Sequence, residues 1–541
     1  MAKIVDVGIV QGDTNYILRI GFFMLVVAAG GVISTIIASF LSAKIGAGFG
    51  KDVREHIFSR VESFTLHEFD KIGTASLITR STNDITQVER VLMLILRIMI
   101  SAPMMGIGGI IMAISTDLKL SLIIVIVIPI ISIVIFFIAK KGMPLFKAMQ
   151  IKLDKLNLVS REGLTGIRVI RAFNRINQEQ KRFNEANKDL TNTAIKINQI
   201  MAAVMPIMML IMNFATIAII WFGGIRIDNG SMQVGDMMAF IQYIMLIMFS
   251  LIMVSMMFVM VPRASVSAVR INEVLDTVPE IKDPEHPKKS STSQRGFIEF
   301  RNVTFSYPGA EKPALSNISF KARPGEMTAI IGGTGSGKST LISLIPRFYD
   351  INSGNILIEG VNVHEVSQKT LRAKIGLVPQ KSVLFTGTIS ENIRFGKDDA
   401  SDSEVLHAAE TAQAIEFISE IQDGFASVIA QGGNNLSGGQ KQRLAIARAL
   451  VRKPDIYIFD DSFSALDFKT DAKLRKKLKE ETKNSTVLIV AQRVSTIMDA
   501  DQIIVLDQGE IAGIGKHKDL LNTCEVYREI VSSQLSEEEL A

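Results

Sequence analysis

The 541-residue chain contains one cysteine, Cys524, and six histidines, and no His/Cys cluster has metal-ligand spacing. A disulfide within one chain is excluded, the single thiol fits a reducing cytosol, and no zinc framework can be read. Strong charge bias is also missing: 59 Lys and Arg stand against 54 Asp and Glu, a net charge of +5. Residues 1–15 lack a charged segment followed by a short apolar stretch, so they do not read as a cleaved signal peptide.

Long apolar runs, by contrast, are abundant. Five of them occupy residues 17–43, 91–115, 120–139, 200–222 and 237–261. About 20 such residues cross the ~30 Å hydrocarbon core of a bilayer as a helix. A buried soluble core explains one run, hardly five, so residues 1–275 read as a helical transmembrane domain. Lys and Arg then set the orientation. Residues 44–90 hold seven and 140–199 hold thirteen, whereas 116–119 and 223–235 hold one each. The two basic stretches are expected in the cytoplasm, with everything after the fifth run, and residues 1–15 outside. This bias accounts for the net charge without a nucleic-acid partner. Residues 276–296, rich in Pro, Ser and Lys, read as a linker. Residues 297–541 have the mixed polarity of a soluble α/β domain, and the acidic stretch 537–539 reads as a solvated helix end.

In that second half, Gly332-Gly333-Thr334-Gly335-Ser336-Gly337-Lys338-Ser339, followed by Thr340, fits the pattern G-x-x-x-x-G-K-[ST]. Backbone N–H groups of such a loop cradle phosphates, Lys338 reaches the β- and γ-phosphates, and Ser339 can hold Mg²⁺. A strand over 327–331 is expected to feed the loop, and a helix over 339–346 to point its N-terminus at the phosphates. The apolar stretch 456–459 ends in Asp460, a carboxylate placed to hold Mg²⁺ through water.

Leu436-Ser437-Gly438-Gly439-Gln440, just ahead of that stretch, resembles the signature of ATP-binding cassette (ABC) proteins. With the five apolar runs in front, the whole chain resembles an ABC half-transporter of the exporter type. The resemblance implies an α-helical transmembrane domain followed by an α/β phosphate-loop ATPase, with ATP and Mg²⁺ as cofactors and the lipid bilayer as surroundings. It implies that Tyr307 stacks on adenine and that Gln380 touches Mg²⁺ and water. Ser464 and Asp467 lie in the loop between the two ATP sites of a dimer, and 436–440 contact the partner's ATP. Residues 66–80 and 163–174 match the two coupling regions, with breaks at Gly73 and from Gly163 to Gly166. Six membrane helices are usual in the family, so the first is expected to be missing here.

Two positions depart from the pattern. Asp461 stands where the family usually has Glu, the general base. Gln492 stands where it usually has His, the contact to the γ-phosphate. A positioned base contributes about 10²–10⁴-fold, so these changes are expected to spare ATP binding and slow turnover. The preferred expectation is the degenerate-site subunit of a heterodimeric multidrug-type exporter in a bacterial cell or inner membrane. The alternatives are a homodimeric exporter and a regulatory or sensing subunit that transports little. The cargo expected is a small hydrophobic or amphipathic compound, drug- or lipid-like. Flexible methionines such as Met205, Met212, Met245 and Met253 suit such ligands or plain helix packing. Arg97, Asn213, Gln242 and Tyr243, polar within apolar runs, are the candidates for the substrate pathway.

Overall fold

The computed structural model describes residues 2–288 and 294–534. Residues 289–293 of the expected linker and the acidic stretch 537–539 lie outside the described residues. The chain divides into two compact units: residues 1–62 with 75–276, and residues 63–74 with 277–541. The short segment 63–74, between two membrane helices in sequence, belongs to the second unit.

Seven helices carry the first half: α1 (Thr14–Glu62), α2 (Leu66–Ile72), α3 (Thr74–Thr116), α4 (Leu122–Thr165), α5 (Ile167–Ala172), α6 (Ile176–Asp228) and α7 (Val234–Asp276). The five long ones contain the five apolar runs, apart from residues 120 and 121 of the third, and are long and apolar enough to cross a membrane. They run from 43 to 53 residues, or roughly 65–80 Å, more than twice a bilayer's hydrocarbon thickness. Their polar remainders are built for water. There Arg80 pairs with Glu273 at 2.9 Å, and the buried Asp84 accepts a hydrogen bond from Ser267 at 2.8 Å, joining α3 to α7. Lys152 pairs with Asp189 at 2.6 Å, joining α4 to α6. Near the other end of the same helices, Arg226 pairs with the buried Asp117 at 2.6 Å.

Within the spans, α4 packs on α6 and α3 on α7, around a core that includes Ile131, Ile219, Phe240 and Ile244. Most of the apolar surface stays outside that core; Phe22, Phe136 and Trp221 are each more than 60 % exposed. Side chains of this kind need lipid or a partner's helices against them. Ahead of α1, residues Ile4–Ile9 are helical, and Asp6 Oδ1 accepts from Gly235 N at 2.6 Å. A Cβ at Gly235 would meet Asp6 Oδ2 at 2.4 Å, so a side chain there would displace this contact.

The second unit holds two main sheets. The antiparallel one orders its strands Leu315–Ala322, Ile298–Phe305, Ser353–Ile358, Val361–Asn362. The larger orders Glu510–Gly515, Gln502–Asp507, Met327–Gly332, Thr486–Val490, Ile456–Asp460, Ile375–Val378, and its last five strands are parallel. Those parallel strands are nearly continuous Val/Ile/Leu runs, as strands covered on both faces must be. One cluster including Phe459, Ile489 and Leu444 covers one face, and another including Ile458, Leu488 and Ile342 covers the other.

Candidate ATP site

Parallel strands bring their carboxyl ends to one edge, where open α/β sheets bind ligands. Here Asp460 lies in register with Val490, and Val490 with Ile330. The residues that follow these strands, Asp461, Gln492 and the loop 332–339, therefore share that edge.

The loop's glycines are required by geometry at two points. Gly337 has φ +96°, and a Cβ there would lie 2.7 Å from the Leu315 side chain and 2.9 Å from Ala314 O. A Cβ at Gly332 would lie 2.1 Å from Leu506 O. Ser336 is buried, whereas Gly333, Thr334 and Gly335 are exposed. The helix that follows spans Lys338–Leu344, one residue earlier at its start than expected. Lys338 Nζ folds back over the loop and donates to Gly332 O at 2.8 Å and Gly333 O at 2.6 Å. Burial lowers its pKa, against the pull of Asp461 and Asp460. A partly buried ammonium whose short hydrogen bonds go to neutral carbonyls gains by meeting an anion.

Ser339 Oγ donates to Asp460 Oδ1 at 3.2 Å. Burial pushes the Asp460 carboxyl up, and neighbouring Asp461 adds to the shift, against Ser339 and Lys338. Two hard oxygen donors side by side, one a carboxylate short of counter-charge, form a donor set of the kind Mg²⁺ takes.

Asp461 is nine-tenths buried and adopts a left-handed backbone, φ +45°, with its N–H on Val490 O at 3.0 Å. Its Oδ2 accepts from Gln492 Nε2 at 2.9 Å and from Gln380 Nε2 at 3.4 Å. Burial pushes this carboxyl up as well, against the Gln380 amide and the charges of Arg493 and Lys338. Ser464 Oγ donates to Asp461 O at 3.0 Å, while Asp467 caps the helix Phe468–Glu481 by accepting from Thr470 N at 2.9 Å.

Tyr307 lies two residues beyond the strand Ile298–Phe305. It is 38 % exposed, donates to or accepts from Thr340 Oγ1 at 3.0 Å, and packs edge-on against Tyr349. Ser437 caps the helix Gly438–Val451 in a reciprocal box with Gln440: Ser437 N donates to Gln440 Oε1 at 2.8 Å. Leu436 is partly buried behind it. A Cβ at Gly438 would point into open space, and one at Gly439 would come 3.1 Å from Ala465 O. Among the described residues, no hydrogen bond or ion pair joins 436–440 to the loop 332–340 of the same chain.

The membrane candidates are not brought together. Arg97 is exposed on a wide turn of α3 at Ile95–Met99, Asn213 is exposed on α6, and Gln242 is exposed on α7. Tyr243 packs partly buried against the helical core. Sequence reasoning missed Gln534. Its amide donates to Gln492 O at 2.8 Å and accepts from Val494 N at 2.8 Å, bracketing the loop that carries Gln492. Nothing local in the sequence marks it; only the folded C-terminal segment brings it there.

The family model for the ABC transporter transmembrane region matches residues 1–251, and the one described as ABC transporter matches 315–464. An uncharacterized ABC transporter ATP-binding protein of Mycobacterium tuberculosis is 43 % identical over 536 residues, covering 98 % of this chain and 92 % of its own length. This chain belongs to the ABC transporter family. The ATP-dependent lipid A-core flippase of Chromobacterium violaceum is 31 % identical over 542 residues, covering 99 % of this chain and 91 % of its own. A bacterial Atm1-family ABC exporter with ATP bound superposes with a TM-score of 0.82 at 28 % identity, over 99 % of this chain and 94 % of the other. The chain is thus an exporter-type ABC transporter, with a membrane-embedded helical domain and a cytoplasmic ATPase whose hydrolysis is coupled to transport. ABC exporters of this kind act as dimers.

Proposed function

We propose that this ABC exporter chain is the degenerate-site subunit of a heterodimer that moves hydrophobic or amphipathic, drug- or lipid-like compounds out of a bacterial cell across its inner membrane. The observation that carries the reading is the environment of Asp461. Its raised basicity is not the deficiency. Its carboxylate is one methylene shorter than Glu, and its Oδ2 is already held by the amides of Gln492 and Gln380. An amide does not titrate near neutral pH, so it can neither relay a proton nor become a cation. In this site Asp461 holds its neighbours rather than drawing a proton from water, and ATP stays bound and whole for longer.

In this reading Ser339 and Asp460, with Gln380, would hold Mg²⁺, and the cation when bound would supply charge neutralisation of the phosphates. Tyr307 offers a ring face to adenine, the exposed loop N–H groups take the phosphates, and Lys338 swings from the carbonyls of Gly332 and Gly333 onto them. Among the described residues, no hydrogen bond or ion pair joins Ser437 or Gly438 to the loop 332–340 of their own chain, which supports their use on the ATP of the second subunit. A partner with the usual Glu and His then builds the fast site against this chain's 436–440. The similarity to a lipid A-core flippase supports an amphipathic cargo.

Nucleotide trapping tests the reading. The purified dimer is incubated with radiolabelled ATP and Mg²⁺, and the nucleotide retained on each chain is identified after a rapid gel-filtration step. Intact ATP retained on this chain, with ADP on the partner, is expected. ADP on both chains at equal rates overturns the proposal.

A further inference from the structure

The segment 63–74 connects α1 to α3 in sequence and packs with the ATPase unit. A piece of chain so placed carries any motion of one unit to the other, so what holds it matters. Thr65 and Glu68 form a capping box at the start of α2: Thr65 N donates to Glu68 Oε2 at 2.6 Å, and the Thr65 hydroxyl meets the same oxygen. The other oxygen, Oε1, accepts from Glu280 N at 2.9 Å, across 212 residues of sequence. The box at Thr388 and Glu391 stays local, that at Ser401 and Glu404 turns its second oxygen to Lys397, and that at Ser437 and Gln440 ends in an amide. Among these boxes of the described residues, only that of Glu68 takes a backbone N–H from a distant segment.

Glu68 is 4 % exposed. Burial alone would raise its pKa, yet the donors from Thr65 and Glu280 hold it below the usual carboxylate range. Glu280 lies four residues past the end of α7, and the same strip of chain is tied onward: Asp283 Oδ1 accepts from Gln368 N at 2.9 Å. Gln368 opens a short helix, Gln368–Ala373, whose Arg372 donates to Pro346 O at 3.1 Å and Arg347 O at 3.2 Å. Those carbonyls follow the helix Lys338–Leu344 of the phosphate loop. Hydrogen bonds joined through short stretches of chain therefore run from α2 to residues 346–347, just past the helix that follows the phosphate loop.

We infer that Glu68 is a positioning residue for coupling: it staples α2 to the post-α7 linker at Glu280, so that ATP binding at the phosphate loop moves both connections to the membrane helices as one. The inference rests on the chain being an exporter, not on the degenerate site, and holds for either dimer. The ionised carboxylate is essential to it, because two N–H groups aim at two oxygens; a Gln would turn its NH₂ against one of them.

The test uses the full-length dimer in nanodiscs of bacterial phospholipid. It reads ATP affinity by fluorescent-nucleotide displacement and, by hydrogen exchange, the effect of ATP with vanadate on the α3–α4 turn at 117–121, which the charge rule puts outside. E68Q and E280P are expected to bind ATP as the wild type does while the ATP-induced change at 117–121 falls about tenfold, the scale of one hydrogen bond to a charged group. E280A keeps the backbone N–H and removes only the long contact of the Glu280 carboxylate to His67 Nε2, 3.6 Å, so it is expected to respond as the wild type. A wild-type response in E68Q or E280P, an equal loss in E280A, or a parallel loss of ATP affinity in E68Q would overturn the inference.

Discussion

Gln492 Nε2 donates to Asp461 Oδ2 across 2.9 Å. The two residues that depart from the usual ATPase pattern thus answer each other, one shortened carboxylate gripped by one uncharged amide. A His at the same place would offer that carboxylate a proton it can also take back, and a Glu at 461 would extend the carboxylate towards the water's position. Together the two changes are the basis of the proposal that this site holds nucleotide.

Restoring both side chains should restore the chemistry. D461E with Q492H is expected to raise turnover at this site by about 10²-fold, the lower end of what a positioned base contributes. D461E alone should give much less, because Gln492 still engages the carboxylate. Single-turnover hydrolysis on this chain, with the partner's site disabled, measures it. Equal gains from the single and the double change would show that Gln492 does not restrain the base.

On the proposed reading Lys338 is expected to contribute to binding rather than to rate. K338A removes a partly buried ammonium aimed at phosphate, so ATP retention on this chain should weaken about 10–100-fold, as expected for one or two charge-assisted hydrogen bonds. Equilibrium dialysis with labelled ATP reads this directly. Transport should then fall even though the partner's site is untouched, if closure of the dimer needs this ATP.

Gln534 brackets the Gln492 loop from both sides. Q534A should free two backbone groups and loosen residues 492–494, visible as faster amide exchange there, with ATP affinity changed by less than about twofold since no contact to nucleotide is lost. Q534E keeps the acceptor for Val494 N and loses the donor to Gln492 O, so it should fall between the wild type and Q534A.

The pH dependence follows from the raised Asp460. A carboxyl whose pKa in the folded state exceeds its unfolded value costs stability while ionised, and that cost disappears as pH falls through the folded pKa. Without nucleotide or Mg²⁺, D460N should therefore melt higher than wild type at pH 7 by a few degrees, about 2–4 °C per kcal/mol for a domain of this size. The gap should close towards pH 4. With ATP and Mg²⁺ the order should reverse, because only the wild type gains the cation; differential scanning fluorimetry at the two pH values and with both ligands decides it.

The membrane spans were legible because twenty apolar residues in a row have few soluble uses, but their ends were not. The run 17–43 sits in a helix that continues to Glu62, since the polar residues after Ala43 are good helix formers, and hydropathy is blind to them. The phosphate loop, Asp460 and the signature could be placed from spacing alone, because glycines at Gly332 and Gly337 answer a steric demand that any chain must meet. Glu68 and Gln534 were invisible for the opposite reason: each acts through a backbone group brought near by the fold, and neither Glu280 nor Val494 advertises its N–H in sequence. The pathway candidates stay scattered, since Arg97, Asn213 and Gln242 are each exposed on a different helix.

The most direct measurement is steady-state ATPase activity of this chain alone, of the chain with its partner half-transporter, and of the same complex with the partner's catalytic Glu changed to Gln. The account predicts near-inactivity for the chain alone, robust turnover for the complex, and loss of that turnover in the partner variant. Fast hydrolysis by this chain alone, unaffected by any partner, would show Asp461 to be an adequate base and contradict the account.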